Sequence, residues 1–244
     1  MQWHDQCTNT KLEEGEIHLW LSYLNLHEAR LKHLYPLLDA KEKERSERFK
    51  FYKHRKRFIA SHGFMRSVLS LYLNMPAQQL EFNLRKQGKP ELVLTKEQPK
   101  LHFNLSHSNN LALLAIRQSH EVGIDVEFME RKNEWGKVIK RFFTEPEQKA
   151  IFSLPEDQQR TAFFKVWTRK EAHMKVTGQG LYLSPTQFTV STPPEAARFI
   201  EYLNGDSNNN WHMQDILLPE TFSEYVACLS TAEKYSSIVN FVFK

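Results

Sequence analysis

The order in which strand-like and helix-like segments follow one another constrains this chain more than any other feature. Alternating or continuous apolar stretches predict strands at 16–23, 80–84, 91–94, 101–105, 111–117, 122–128, 187–191, 197–202, 211–217, 225–230 and 238–243. Apolar residues at helical spacing predict a long helix around 58–72, and similar patterns predict helices at 135–142 and 156–177. Strands and helices that occur in runs, without regular alternation, are typical of an α+β fold. Because each half offers both, we expect two α+β subdomains, 1–119 and 120–244.

The composition is that of a folded protein without an export or membrane signal. With 244 residues, 41% of them hydrophobic and 25% charged, the chain is neither disordered, collagenous nor a coiled coil. Residues 1–16 are polar and lack the apolar core of a signal peptide. The longest aliphatic run, 111–116, is far shorter than the roughly 18 residues of a membrane helix. The only two cysteines, Cys7 and Cys228, are far apart in the sequence and form no Cys-x-x-Cys pair, so we expect a protein of the reducing cytoplasm.

The net charge of +4 is distributed unevenly along the chain. Segment 41–57 holds nine basic and three acidic residues, so it carries +6 and leaves the remainder of the chain at −2. A second basic stretch, 131–141, holds five basic residues and one acid. Such runs are often solvated helix faces, and binding of phosphate, nucleic acid or an acidic protein are the alternatives.

Two carboxylates lie two residues apart in the predicted strand 122–128. Since side chains alternate along a strand, Asp125 and Glu127 share one face, and the apolar residues between them face a core. Neighbouring carboxylates repel each other unless a cation lies between them, and Mg²⁺ prefers carboxylate oxygens together with substrate phosphates and water. An edge strand with an exposed acidic face is the alternative interpretation.

A third acid, Glu171, precedes Lys175 by four residues on the predicted helix 156–177. Residues at this spacing share a helix face. They form either an ordinary surface ion pair or a carboxylate for metal binding and proton transfer beside a cation for phosphate.

Two predicted turns carry further polar side chains. Ser106 and His107 are expected in a tight turn between strands, and Gly88-Lys89-Pro90 is expected to present Lys89 in another. A Ser and a His adjacent in sequence point apart too readily to act as nucleophile and base, and no G-x-S-x-G occurs, so we exclude a hydrolase triad. Binding a phosphate, or a structural role, is left for Ser106 and His107.

Four short motifs, taken in chain order, resemble the signatures of the long, Sfp-like class of 4′-phosphopantetheinyl transferases. They are Gly88-Lys89-Pro90, Phe103-Asn104-Leu105-Ser106-His107-Ser108, Gly123-Ile124-Asp125-Val126-Glu127 and Trp167-x-x-Lys170-Glu171-Ala172-x-x-Lys175-x-x-Gly178-x-Gly180-Leu181. The resemblance extends from Arg45 to Leu181, and its last motif is the most specific.

The resemblance implies a magnesium-dependent enzyme that transfers the 4′-phosphopantetheine arm of coenzyme A to a serine of an apo carrier protein and releases adenosine 3′,5′-bisphosphate. It also implies two α+β subdomains related by a pseudo-twofold axis. Residues 1–119 would serve the adenosine phosphates, and residues 120–244 would carry the metal-binding and catalytic residues. Asp125, Glu127 and Glu171 are the implied Mg²⁺ ligands. Glu171 is also the expected base for the serine, and Lys175 the catalytic cation at the pyrophosphate.

The implied ligands of coenzyme A are Arg57, Lys89, Ser106, His107 and Lys175. Arg45 is a further expected phosphate ligand, with Lys43 as its alternative. Four residues of the second basic stretch are expected to dock an acidic acyl or peptidyl carrier protein: Arg131, Lys137, Lys140 and Arg141.

Three other functions stay open at this level. One is a nucleic-acid-binding module that uses the basic and aromatic residues of 41–58. The others are a metal-dependent phosphoesterase with the same three carboxylates and a relative that binds the coenzyme without catalysis. The nucleic-acid-binding module leaves the carboxylates unexplained, so we do not expect nucleic acid as a partner. Because no membrane helix is predicted, we do not expect a membrane as a partner either. We also expect a monomer, because both subdomains are in one chain. The sequence does not distinguish fatty-acid, polyketide and non-ribosomal peptide carriers.

Overall fold

The computed structural model describes residues 2–5, 11–129, 134–204 and 210–244, and every element given below lies within those ranges. The α-helices are α1 (Glu28–Leu34), α2 (Ala40–Glu47), α3 (Tyr52–Leu73), α4 (Trp135–Phe142), α5 (Glu145–Phe152) and α6 (Glu156–Thr177). The strands are β1 (Trp3–Asp5), β2 (Glu16–Tyr23), β3 (Phe82–Leu84), β4 (Pro90–Leu92), β5 (Leu101–Ser108), β6 (Leu111–Gln118), β7 (Val122–Phe128), β8 (Phe188–Val190), β9 (Phe199–Tyr202), β10 (His212–Asp215), β11 (Tyr225–Thr231) and β12 (Ser237–Phe243). The predicted α+β class is confirmed.

The chain divides into two compact units. The first comprises Met1–Asn83, Pro90–Ser119 and Ser236–Lys244, and the second comprises Leu84–Lys89 and His120–Tyr235. One boundary lies at Ser119, where the sequence suggested it. The last strand, which the prediction assigned to the second part, belongs instead to the first unit, because β12 pairs in parallel with β2 along its whole length.

The first unit is a five-stranded sheet in the order β1-β12-β2-β6-β5, covered by α3. Its central strands β2 and β6 are almost entirely buried, as strands inside a sheet are. The apolar face of α3 packs onto the sheet, where Phe64 and Leu69 lie in one core with Trp20 and Leu114. The helix ends where Asn74 adopts a left-handed conformation with φ 48°.

The second unit packs α6 against the antiparallel sheet β10-β11-β7. The predicted bounds of β7, α4 and α6 are confirmed, and α6 ends at Gly178 in the left-handed conformation, φ 67°. A capping box formed by Thr144 and Glu147 begins α5. A core of Ile139, Phe163 and Phe188 fills the space between the helices and the β8–β9 pair.

The basic segment 41–57 is largely helical: α2 was not predicted from the sequence, and α3, predicted around 58–72, begins six residues earlier. Most of α2 lies in it, and α3 begins at Tyr52. Among the helices of the described ranges, not one is both long enough and apolar enough to cross a membrane.

Candidate functional site

The predicted carboxylates of the second unit lie where β7 runs along α6. Contact between these elements is close because Gly123 has no side chain: a Cβ there would lie 2.2 Å from the carbonyl oxygen of Ala172 and 2.6 Å from the amide nitrogen of Val176. Asp125, on the same face of β7, consequently reaches α6 as well. Its Oδ1 lies 2.6 Å from Nζ of Lys175, which also donates to the carbonyl of Ile124 at 3.2 Å.

Glu171 belongs to the same electrostatic group. Burial, together with the charges of Asp125 and Glu127, raises the pKa of its carboxyl to about 7, although the charge of Lys175 acts in the opposite direction. Three carboxylates and one ammonium group therefore interact across β7 and α6. Asp125 is only 4% exposed, which rules out the alternative of a solvated acidic strand face.

The donor set suits a hard divalent cation. Carboxylate oxygens are the ligands that Mg²⁺ accepts, and Mg²⁺ is commonly held by one or two carboxylates together with substrate phosphates. Within residues 2–5, 11–129, 134–204 and 210–244, no three acidic, His or Cys side chains are already arranged to hold a metal ion.

Lys89 lies in the second unit too, in the turn between β3 and β4. Its side chain is 9% exposed, and its Nζ donates to Oε2 of Glu121 at 2.7 Å and to the carbonyl of Val122 at 3.2 Å. Arg85, from the same turn, donates to Oε1 of Glu121 at 2.5 Å. Sequence reasoning missed Glu121, because 32 residues separate it from Lys89 and only its position just before β7 hinted at a role.

Ser106 and His107 lie in the first unit, in strand β5 and not in a turn as predicted. The ladder with β6 continues to the pair Ser108 and Leu111, so the turn falls at Asn109 and the residue after it, with Asn109 at φ 49°. Successive strand residues point to opposite faces. Ser106 is buried and His107 exposed, which agrees with the exclusion of a nucleophile–base pair.

Arg57 is fixed at this same turn. Its guanidinium donates to Oδ1 of Asn110 at 2.7 Å from Nη2 and 3.2 Å from Nε, and also to the side-chain oxygen of Asn109. It borders a surface cavity of about 380 Å³ whose lining includes Lys53 and Lys56. Three cations at one concavity attract an anion such as phosphate.

Arg45 lies on α2, also in the first unit. It is exposed, and its guanidinium lies 5.2 Å from the ring centre of Phe58.

The second basic stretch is described from residue 134 onward, so Arg131 lies outside the described residues. Lys137, Lys140 and Arg141 are exposed on α4. Lys137 pairs with Glu134 at 2.9 Å, and Arg141 lies 5.1 Å from the ring centre of Phe142. The helix presents basic side chains to solvent, as the docking prediction requires.

Comparison with known proteins assigns the chain to a family. Residues 25–119 match the family description "4′-phosphopantetheinyl transferase, N-terminal", and residues 121–230 match "4′-phosphopantetheinyl transferase superfamily". The 4′-phosphopantetheinyl transferase HetI of Nostoc sp. is 38% identical over 196 residues, which cover 80% of this chain and 83% of that protein.

Two further relatives come from Bacillus species. The 4′-phosphopantetheinyl transferase psf-1 of Bacillus pumilus is 31% identical across 65% of this chain and 66% of that protein. For the 4′-phosphopantetheinyl transferase Sfp of Bacillus subtilis, the identity is 29% across 63% of this chain and 66% of the relative. The chain belongs to the 4′-phosphopantetheinyl transferase family. This membership confirms the resemblance, the enzyme class and the predicted transfer of phosphopantetheine from coenzyme A.

Proposed function

We propose that the acidic group on β7 and α6 is the catalytic centre at which this chain transfers phosphopantetheine from coenzyme A to a carrier-protein serine. The observation that carries the proposal is the electrostatic coupling of Asp125, Glu127 and Glu171 with Lys175, inside a protein of this family. A bond between two phosphates breaks most readily where cations face its oxygens.

Asp125, Glu127 and Glu171 would hold Mg²⁺, with pyrophosphate and water oxygens as its other ligands. When bound, Mg²⁺ neutralises negative charge on the pyrophosphate. Lys175 would contact the same pyrophosphate. Its present partner is the Asp125 carboxylate at 2.6 Å, so an anionic group already binds this ammonium.

Glu171 would accept the proton of the carrier serine, directly or through one water. It extends from the same face of α6 as Lys175, one turn earlier, so a group bound by the lysine lies within reach of the carboxylate. The serine oxygen would then attack the phosphorus that carries the pantetheine arm, and adenosine 3′,5′-bisphosphate would leave.

Six residues would bind coenzyme A: Arg45, Arg57, Lys89, Ser106, His107 and Lys175. Among the proposed ligands in the first unit, Arg57 has the strongest structural support. The side chains of Asn109 and Asn110 hold its guanidinium beside a basic concavity. A guanidinium held in this way suits phosphate recognition. Lys43 is the alternative to Arg45.

The carrier would be an acidic acyl or peptidyl carrier protein that docks on Arg131, Lys137, Lys140 and Arg141. We further propose that the chain acts as a cytoplasmic monomer and does not bind nucleic acid. The basic segment 41–57 would then bind coenzyme phosphates, and the acidic group would bind Mg²⁺. A nucleic-acid-binding module would leave the acidic group unexplained.

Mass spectrometry of an apo carrier protein incubated with the enzyme, Mg²⁺ and coenzyme A tests the proposal. We expect a phosphopantetheine adduct that disappears when the metal is chelated. Glu171→Gln should lower kcat by about 100-fold or more, a larger effect than that on the Kd for coenzyme A. Glu156→Gln, an exposed position on the same helix, is the matched control.

Three results would overturn parts of the proposal. Absence of adduct on acyl and peptidyl carriers alike would exclude the activity itself. A near wild-type kcat for Glu171→Gln at saturating Mg²⁺ would exclude Glu171 as the base. Release of phosphate from coenzyme A without transfer would point to a phosphoesterase.

A further inference from the structure

Glu121 joins two cations of the β3–β4 turn. Its Oε1 accepts a hydrogen bond from Nη2 of Arg85 at 2.5 Å, and its Oε2 accepts one from Nζ of Lys89 at 2.7 Å. The side chains of Arg85, Lys89 and Glu121 are 30%, 9% and 25% exposed, respectively, so water screens the charge of Lys89 least. The three side chains together carry a formal charge of +1.

The backbone around Glu121 is fixed from both sides. Glu121 directly precedes β7, and its carbonyl accepts a hydrogen bond from Oγ1 of Thr231 at 3.1 Å. The next carbonyl, that of Val122, accepts from Nζ of Lys89 at 3.2 Å. Lys89 is therefore held at two points, by the Glu121 carboxylate and by the carbonyl of Val122, on a backbone segment that Thr231 also binds.

The turn also meets the C-terminal end of α6. A Cβ added at Gly178 would lie 3.7 Å from Nη1 of Arg85 and 3.8 Å from Cδ of Lys89. Cations are favoured at a helix C-terminus because the last carbonyls carry partial negative charge. Lys89 is thereby held beside β7 and α6, the two elements that carry Asp125, Glu171 and Lys175.

We propose that Glu121 is a positioning residue that holds Lys89 in the orientation in which it binds a phosphate of the coenzyme. The inference rests on the proposed function, in which Lys89 is a coenzyme ligand. Without the carboxylate, Arg85 and Lys89 repel each other, and Lys89 regains the rotamer freedom of a solvated lysine, which must be lost again on binding. Glu121 therefore raises affinity although its own charge repels the phosphate.

The test is a double-mutant cycle on the Kd for coenzyme A, measured by calorimetry on the full-length protein. We expect Glu121→Gln to raise the Kd by about three- to tenfold with little change in kcat. In the Lys89→Met background the same substitution should change the Kd by less than about twofold, because the residue through which Glu121 acts is gone. Glu145→Gln, which removes an exposed carboxylate paired with Lys149, is the matched control.

The possible outcomes separate this inference from the function on which it rests. An equal loss of affinity in both backgrounds would mean that Glu121 acts only on the fold, and a lower Kd would mean that it merely screens Lys89; either result overturns the inference. Wild-type protein that neither binds coenzyme A nor forms adduct overturns the proposed function instead. Should Glu121→Gln fail to fold, Glu121→Asp, which withdraws the charge by one methylene, should give an intermediate rise in Kd in the same cycle.

Discussion

Glu147 and Lys170 form an ion pair in the interior of the second unit, with 2.9 Å between Oε1 and Nζ and side chains 1% and 0% exposed. Nζ also donates to the carbonyls of Pro185 and Phe188, both at 2.7 Å. The carboxylate in turn accepts the amides of Thr144 and Val190, both at 2.8 Å. One buried pair thus ties the start of α5, the middle of α6 and strand β8 together.

Replacing Lys170 with Met should destabilise the protein by about 3–5 kcal/mol, because the Glu147 carboxylate would stay buried without its cation. Urea unfolding followed by circular dichroism measures this loss. Lys149→Met breaks an exposed pair, Lys149 with Glu145, and should change stability by less than about 1 kcal/mol. Equal losses in the two variants would contradict the role of the buried pair.

The first unit contains a similar ion pair between a capping glutamate and a buried cation of a long helix. Glu42 is the third residue of α2 and completes the capping box that Asp39 begins, and its carboxylate pairs with Nε of Arg66 on α3 at 2.6 Å. Arg66 is fully buried and pairs with Asp39 as well, also at 2.6 Å. In each unit, then, the glutamate that caps a short helix also neutralises a buried cation from a 22-residue helix. This repetition agrees with two subdomains of related design.

Local sequence patterns predicted the bounds of an element correctly where its own residues determine its structure. The bounds of β7 follow from its alternating apolar residues, and the end of α6 follows from Gly178. Helix α2 was missed because its eight residues include almost no apolar side chain; contacts such as Glu42 with Arg66, which come from another helix, stabilise it. Ser106 and His107 were assigned to a turn because they are polar, and pairing with β6 overrode that preference.

In the candidate site, too, the sequence predicted relationships within one element but not contacts between elements. Spacing alone placed Asp125 with Glu127, and Glu171 with Lys175, on shared faces. The approach of Lys175 to Asp125, residues 50 positions apart along the chain, depends on the packing of α6 on β7, and no local pattern contains it. Glu121 was missed for the same reason.

Gly123→Ala should disrupt both stability and activity. The new methyl group would overlap backbone atoms of Ala172 and Val176, which cannot move without shifting α6. We expect a loss of at least about 2 kcal/mol and a fall in kcat, because α6 carries Glu171 and Lys175. Thermal melting and the transfer assay measure the two effects.

Gly136→Ala is the matched control, since a Cβ at Gly136 on α4 meets nothing within 4 Å. In a helix this substitution should raise stability by about 0.5–1 kcal/mol. A Gly123→Ala protein with normal melting temperature and kcat would show that β7 and α6 can separate at no cost.

The stability of the first unit should fall as the pH drops below about 6.5, the ordinary pKa of histidine. Burial lowers the pKa of His18 below this value, and nearby Glu16 offsets the effect only in part. The hydroxyl of Tyr72 accepts from Nε1 of Trp20 and donates to Nδ1 of His18, each at 2.7 Å, which suits a neutral ring. Since the unfolded chain binds the proton more readily, stability present above pH 6.5 is lost as the pH falls toward the folded-state pKa.

Unfolding free energies at pH 7.5 and 5.5 measure this dependence on pH. The difference between the two pH values should shrink in His18→Gln and persist in His54→Gln, whose side chain is exposed. The same difference in wild type and His18→Gln would assign the acid sensitivity to other groups.

Reversing two charges on α4 should weaken carrier binding selectively. Lys137 and Lys140 are exposed, and an acidic partner gains most of its long-range attraction from such residues. We expect the double variant Lys137→Glu, Lys140→Glu to raise KM for an acidic carrier by about tenfold at low salt. KM for coenzyme A should not change, and the defect should diminish at high ionic strength because salt screens exposed charges. The control reverses two other exposed lysines, Lys96 and Lys100, which changes the net charge equally. If both double variants raise the carrier KM alike, only net charge matters and α4 is not the docking helix; if neither does, the carrier docks elsewhere.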